Sequence, residues 1–181
     1  MFRQLTSAVH DCHQQGIVHR DLQPENILLH DDMNVKLADS GLSAEFTDEN
    51  LTTFCGTSAY MAPEAVTFQP CYSPTGDMWA LGVILYLMLT REMLFVGHFY
   101  VEMGELIVNG EFLEPSYISQ ECLTLLRKLM TVNCNQRPTL EKIMKDPWVS
   151  KDAGEELRPY IELPWGDLDP QLTEKNEKPW I

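Results

Sequence analysis

Apolar positions recur at helical spacing near the start of the chain. Leu5, Ala8, Val9 and Cys12 mark one face of a segment running from Phe2 to Gln15, and Gly16 follows as a stop signal. Ile27-Leu28-Leu29 and Val35-Lys36-Leu37 are short β-prone runs on either side of the polar stretch Asp31-Asp32-Met33-Asn34, which predicts a hairpin. Residues 40–62 are polar and irregular, longer than an ordinary connection, and loops of that length usually carry function or move. From Gly76 the helical pattern returns over 76–90, then about 99–109, 119–132 and 139–145. Pro138 sits one place ahead of the last of these, where a helix start tolerates it. The run from Met78 to Leu89 is shorter than the roughly 20 residues of a membrane span, so it is predicted to be a buried core helix. Beyond Trp148 the chain turns to Pro, Glu, Asp and Lys with isolated Trp residues. The expected division is therefore a folded region at 1–148 and an extended acidic tail at 149–181.

With 44% apolar and 22% charged residues, the 181-residue chain can bury a core, which excludes wholesale disorder. Thirteen basic against 27 acidic residues leave a net charge of −14, so neither nucleic acid nor an anionic membrane is expected as main partner. The five cysteines (Cys12, Cys55, Cys71, Cys122 and Cys134) are scattered and never spaced as C-x-x-C, so they are expected to be free thiols in a reducing compartment. The first residues do not read as a signal peptide, and the expected location is intracellular, in the cytoplasm. His10, Cys12 and His13 look like metal ligands. Cys12 is poorly placed to share a helix face with both histidines, however, and an ordinary helix surface is expected there.

The chemistry is concentrated in His19-Arg20-Asp21-Leu22-Gln23-Pro24-Glu25-Asn26, between the first helix and the hairpin. An Asp and an Asn on one such loop can divide two jobs. The carboxylate accepts a hydroxyl proton, and the amide oxygen takes a hard cation such as Mg2+. Asp39 follows the second strand and adds a carboxylate where the hairpin ends. The layout H-R-D-L-x-x-x-N followed by D-x-G is the catalytic and metal-binding pattern of protein kinases.

Further motifs follow in the same order: Asp39-Ser40-Gly41, Ala62-Pro63-Glu64, Asp77-x-Trp79-x-x-Gly82 and Arg137-Pro138. On these the chain resembles the C-terminal lobe of a eukaryotic protein Ser/Thr kinase. Thr53-Phe54-Cys55-Gly56 is similar to the activation segment of the calcium/calmodulin and AMP-activated-like group, especially the microtubule-affinity-regulating kinases. Leu157-Arg158-Pro159-Tyr160 and Pro164-Trp165-Gly166-Asp167 resemble the region after the catalytic domain in sperm motility kinases. The resemblance implies that Asp21 is the catalytic base, that Asn26 and Asp39 hold the Mg2+ ions bridging the ATP phosphates, and that Leu28 floors the adenine pocket. It makes Thr53 a phosphosite paired with Arg20 and places Thr57 in support of the catalytic Asp. His19, Glu64, Asp77 and Arg137 become structural: Glu64 and Arg137 as an ion pair, Asp77 as the acceptor for the catalytic-loop backbone.

Three departures limit what these 181 residues can do. They contain no G-x-G-x-x-G, and the first lysine, Lys36, comes after the catalytic loop, so the phosphate-gripping N-terminal lobe is absent from them. Gln23 stands where Ser/Thr kinases place a Lys beside the transferred phosphate, and a neutral amide cannot balance developing charge. Ser40 replaces the Phe of D-F-G, which in kinases packs against the neighbouring His.

The expected fold is mainly α, a kinase-like C-lobe helical bundle with one small β-hairpin and no N-lobe. The leading expectation for function is a truncated, pseudokinase-like Ser/Thr kinase relative, whose family reaction moves the ATP γ-phosphoryl group to a protein hydroxyl and which alone is inactive. The alternatives are a non-catalytic module that docks substrates or regulators of related kinases, or a remnant with no selected role. Met1 to Leu5 fall mid-helix in the family pattern, so the true start is left open.

Overall fold

The computed structural model describes residues 1–30, 34–38, 44–45, 58–71, 74–97 and 99–151. Seven helices are described: α1 (Phe2–Gln14), α2 (Pro63–Val66), α3 (Thr75–Thr90), α4 (Tyr100–Asn109), α5 (Gln120–Leu129), α6 (Leu140–Met144) and α7 (Pro147–Ser150). The four short strands are β1 (Ile17–Val18), β2 (Ile27–Leu29), β3 (Val35–Leu37) and β4 (Ala44–Glu45). The protein is mostly helical, with two small antiparallel pairs, β2 with β3 and β1 with β4.

α3 organises the rest. It is apolar on nearly every side, so it must be surrounded, and the residues from Asp77 to Tyr86 are all buried. One side meets Leu5 and Val9 of α1 together with Leu125, Leu126 and Leu129 of α5. Another side carries Trp79 and Val83 against Phe95, Ile107 and Met130. The Trp79 and Phe95 rings stack with centroids 5.9 Å apart. Gly82 is where α3 and α5 come closest: a Cβ there would lie 3.0 Å from the Leu129 Cβ and 2.7 Å from the Met130 sulfur. The glycine of the Asp-x-Trp-x-x-Gly motif thus has a packing reason.

Local signals set the helix ends. The Ser119 hydroxyl accepts from the Cys122 N–H to start α5, and Asp146 accepts from the Trp148 N–H to start α7. α4 closes on Gly110 in the left-handed region, φ 66°. α7 reaches past position 148 and buries Val149 in the core. Residues 152–181, most of the segment read as an acidic tail, lie outside the described residues.

The β2–β3 hairpin has the register Ile27 to Leu37, Leu28 to Lys36 and Leu29 to Val35. The β1–β4 pair was not anticipated, because two residues per strand are too few for a periodic signal. Its place matters, since β1 ends immediately before His19.

The cysteines differ from expectation. Cys71 and Cys134 are joined in a disulfide, with Cα atoms 6.7 Å apart across a sequence separation of 63. Two loops distant in sequence bring them together, which spacing along the chain cannot reveal. Cys12 and Cys122 are free. Burial first, and the Asp146 carboxylate second, push the Cys122 thiol up to about 11. The folded state therefore holds this proton more tightly than the unfolded chain. The stability this contributes is present at neutral pH and is lost as pH rises from the ordinary 9.0 through about 11. Alkylation of the native chain at pH 8 is expected to spare Cys122, whereas denaturant exposes it; mapping of the modified peptide checks this.

Candidate active site

The loop that follows β1 is held from below by α3. Asp77, in the first turn of that helix, is fully buried and accepts from the His19 and Arg20 N–H groups, both at 2.9 Å. A third contact joins its Oδ2 to His13 Nε2 at 2.8 Å. His13 is therefore not an ordinary helix-surface residue, as expected from sequence, because its ring reaches across from α1 to the loop's anchor. Arg20 adopts φ 65°, a left-handed conformation that a non-glycine residue holds only when its surroundings fix it. The Asp77 carboxylate supplies that fixing.

His19 is buried and bridges to the end of the hairpin. Its Nε2 lies 3.2 Å from the Ala38 carbonyl, and its Nδ1 lies 3.4 Å from the Asp21 N–H. One tautomer serves both: Nε2–H donates to Ala38, and Nδ1 accepts from Asp21. The Ala38 N–H in turn donates to the Asn26 carbonyl at 2.9 Å. Ala38 immediately precedes Asp39 in sequence, so these bonds carry the hairpin's exit to the Asp21–Asn26 loop.

Asn26 donates from Nδ2 to the Asp21 carbonyl at 2.8 Å and to Asp21 Oδ2 at 3.2 Å. With both Nδ2 hydrogens directed at Asp21, the side-chain oxygen Oδ1 is the atom left to a cation. That is a hard-oxygen donor of the type Mg2+ takes, and a site with few protein oxygens is the usual way a nucleotide-bound Mg2+ is held. The donor set fits the ion. Gln23 donates from Nε2 to the same Asp21 Oδ2 at 3.0 Å. The carboxylate oxygen therefore takes hydrogen bonds from two neutral amides.

On the opposite side of α3's first turn, Arg137 is wholly buried and grips Glu64 in a two-pronged pair, Nη1 to Oε1 at 2.8 Å and Nη2 to Oε2 at 2.9 Å. Its remaining donors go to the carbonyls of Thr75 (2.6 Å), Thr131 (2.9 Å) and Val132 (3.3 Å). The guanidinium carbon lies 5.3 Å from the Trp79 ring centroid. This one side chain joins α2, the start of α3 and the turn after α5.

The structure thus brings together His19, Arg20, Asp21 and Asn26 over Asp77, and joins Glu64 to Arg137. Leu28 is 52% exposed on the hairpin. Asp39, Thr53 and Thr57, with Ser40, lie outside the described residues. Sequence reasoning missed His13 and the Cys71–Cys134 bond; only contacts between distant segments identify either. Among the described residues, no helix is long and apolar enough to cross a membrane.

The loop from His19 to Asn26, with Asn26 bonded to Asp21 and Asp77 beneath it, carries the residue order of the protein-kinase catalytic-loop pattern. The family comparison agrees: the protein kinase domain model matches residues 1–149, and the chain belongs to that family. Its relatives are Ser/Thr protein kinases. It is 43% identical over 159 residues to the carbon catabolite-derepressing protein kinase of Candida tropicalis, covering 87% of this chain and 26% of that protein. It is 41% identical over 177 residues to the protein of the same name in Saccharomyces cerevisiae, covering 97% and 27%. The probable serine/threonine-protein kinase MARK-A of Dictyostelium discoideum is 39% identical over 150 residues, covering 82% and 14%. The chain thus spans less than a third of the length of these relatives.

Proposed function

We propose that these 181 residues form the C-terminal lobe of a Ser/Thr kinase of the calcium/calmodulin and AMP-activated-like group and do not by themselves transfer phosphate. In this reading residues 1–148 are the C-lobe part of a kinase domain and 149–181 a tail, with affinity to sperm motility and microtubule-affinity-regulating kinases, in an intracellular, cytoplasmic setting. The observation that carries the reading is the neutral Gln23 amide seated 3.0 Å from the Asp21 carboxylate, where the family pattern calls for a Lys. Mg-ATP would supply the phosphoryl group, with Asn26 and Asp39 as the oxygen ligands of the metal and Leu28 beneath adenine. Asp21 would orient the hydroxyl, Thr57 would support Asp21, and Arg20 would answer a phosphate on Thr53. A cation at position 23 would balance charge that an amide cannot, and each 1.36 kcal/mol of lost stabilisation is about tenfold in rate. The exposure of Leu28 and Leu29 on the hairpin supports the reading that a further lobe would cover this face.

The test is transfer of labelled γ-phosphate to a basic Ser/Thr peptide by the purified chain. Incorporation no greater than that of Asp21→Ala is expected. Clear incorporation that Asp21→Ala abolishes would sink the reading.

A groove of about 510 Å3 between α2 and α4, lined by Val66, Val101, Gly104, Glu105 and Val108, favours a second reading. In it the fold serves as a docking module for an apolar peptide segment of a substrate or regulator, without chemistry at Asp21.

A further inference from the structure

The Cys71–Cys134 pair sits inside the network that fixes the candidate active site. Cys71 lies in the segment between α2 and α3, and its sulfur is 3.5 Å from the hydroxyl of Thr75, the first residue of α3. Cys134 opens the short turn Cys134–Gln136 that leads directly into Arg137. The Thr75 carbonyl accepts from Arg137 at 2.6 Å, and two residues on, Asp77 holds the His19 and Arg20 amides. A covalent link between residues 71 and 134 therefore acts at the same joint as the Glu64–Arg137 pair, within one helical turn of the catalytic loop's anchor.

The Glu64 carboxylate lies within 4.8 Å of both sulfurs, a grouping that could suggest a metal. Both Glu64 oxygens are already taken by the Arg137 guanidinium, however. The two sulfurs that remain are too few for a structural zinc, which needs four ligands. Among the described residues the competing thiols are subdued: Cys12 and Cys122 both have raised pKa values, burial being the largest cause in each. Cys71 is buried and Cys134 only half-buried, which makes Cys134 the sulfur that a reagent reaches first.

We propose that Cys71 and Cys134 are a reversible thiol–disulfide site that staples the start of α3 to the Arg137 turn and so controls how firmly Asp77 holds the catalytic loop. The oxidant is a small-molecule disulfide such as oxidised glutathione. The Cys134 thiolate attacks one of its sulfurs, forming a mixed disulfide and releasing one glutathione thiolate. The Cys71 thiolate then attacks the Cys134 sulfur and expels the second. Two thiol protons pass to the two glutathiones, the protein pair loses two electrons and the glutathione disulfide gains them. Reduction by glutathione runs the same steps backwards. In a thiol-buffered compartment such a bond is a regulatory device more often than a permanent brace.

The site is independent of whether nucleotide binds, and its test needs none. The full chain is equilibrated in glutathione buffers of varied ratio, quenched by alkylation and mapped by peptide mass. In parallel, Tm and amide exchange at His19 and Arg20 are followed. Cys71 and Cys134 are expected to lose reactivity together as one intramolecular disulfide. Oxidation should raise Tm by roughly 5–15 °C and slow exchange at both amides, and Cys134→Ser should show neither change. Since the reduced wild-type chain is itself the unstapled state, the comparison survives if that variant folds poorly. Trapping of the two cysteines only as separate glutathione adducts would overturn the proposal. So would a Tm indifferent to oxidation, or stoichiometric Zn2+ uptake by the reduced chain that blocks disulfide formation.

Discussion

Arg137→Ala is expected to destabilise the fold by about 3–5 kcal/mol, the usual cost of removing one partner from a buried ion pair. The guanidinium offers five N–H donors, and the Glu64 carboxylate and three backbone carbonyls receive them. Alanine leaves the carboxylate without its counter-charge and the carbonyls of Thr75, Thr131 and Val132 without this donor. It also opens a void beside the Trp79 ring. Set against a total stability of about 5–15 kcal/mol, such a loss is a large share of the whole. Arg137→Lys keeps the charge but not the fork, so an intermediate loss is expected. Urea titration followed by tryptophan fluorescence checks both, since Trp79 is in the affected contact. A midpoint for Arg137→Ala within error of wild type would mean that the pair contributes nothing to the joint.

The second large effect is expected at Asp77. Alanine there strands two backbone N–H groups and the His13 ring, and each buried donor left unpaired costs about 1–3 kcal/mol. Because Arg20 sits at φ 65°, losing the acceptor also removes what holds that residue in the left-handed region. A total of about 2–4 kcal/mol is expected, with the damage centred on the loop. Amide exchange at His19 and Arg20 should rise by about tenfold or more even where the α5 core stays protected. Unchanged protection at those two amides would show that the loop is held by something other than α3.

These two residues also show what was legible in the sequence. Asp77, Glu64 and Arg137 fall inside short motifs whose order along the chain identifies the scaffold, and the structure pairs Glu64 with Arg137, which also holds the Thr75 carbonyl two residues before Asp77. The helices were legible for a simpler reason: apolar residues at a period near 3.6 must face a core, and α3, apolar all round, must lie within one. Boundaries were off by one to three residues where caps decide the matter, as at Met130, which ends α5 instead of continuing it to 132. The β1–β4 pair, the His13–Asp77 contact and the Cys71–Cys134 bond were not legible. Each depends on segments that only the folded chain brings together, the last two separated by 64 and 63 positions. Gln23 was legible as a departure, but its consequence, an amide seated on the Asp21 oxygen, needed coordinates.

Mg-ATP titration of the folded chain, followed by thermal unfolding, tests the central proposal most directly. If the site in these 181 residues is half of a nucleotide site with Gln23 in place of a cation, Tm should stay flat up to millimolar Mg-ATP. A ligand at 100 times its Kd would add roughly 2.7 kcal/mol, a shift of roughly 5–11 °C for a domain of this size. A saturable rise of that order, lost in Asn26→Ala, would contradict the account and identify a working nucleotide site.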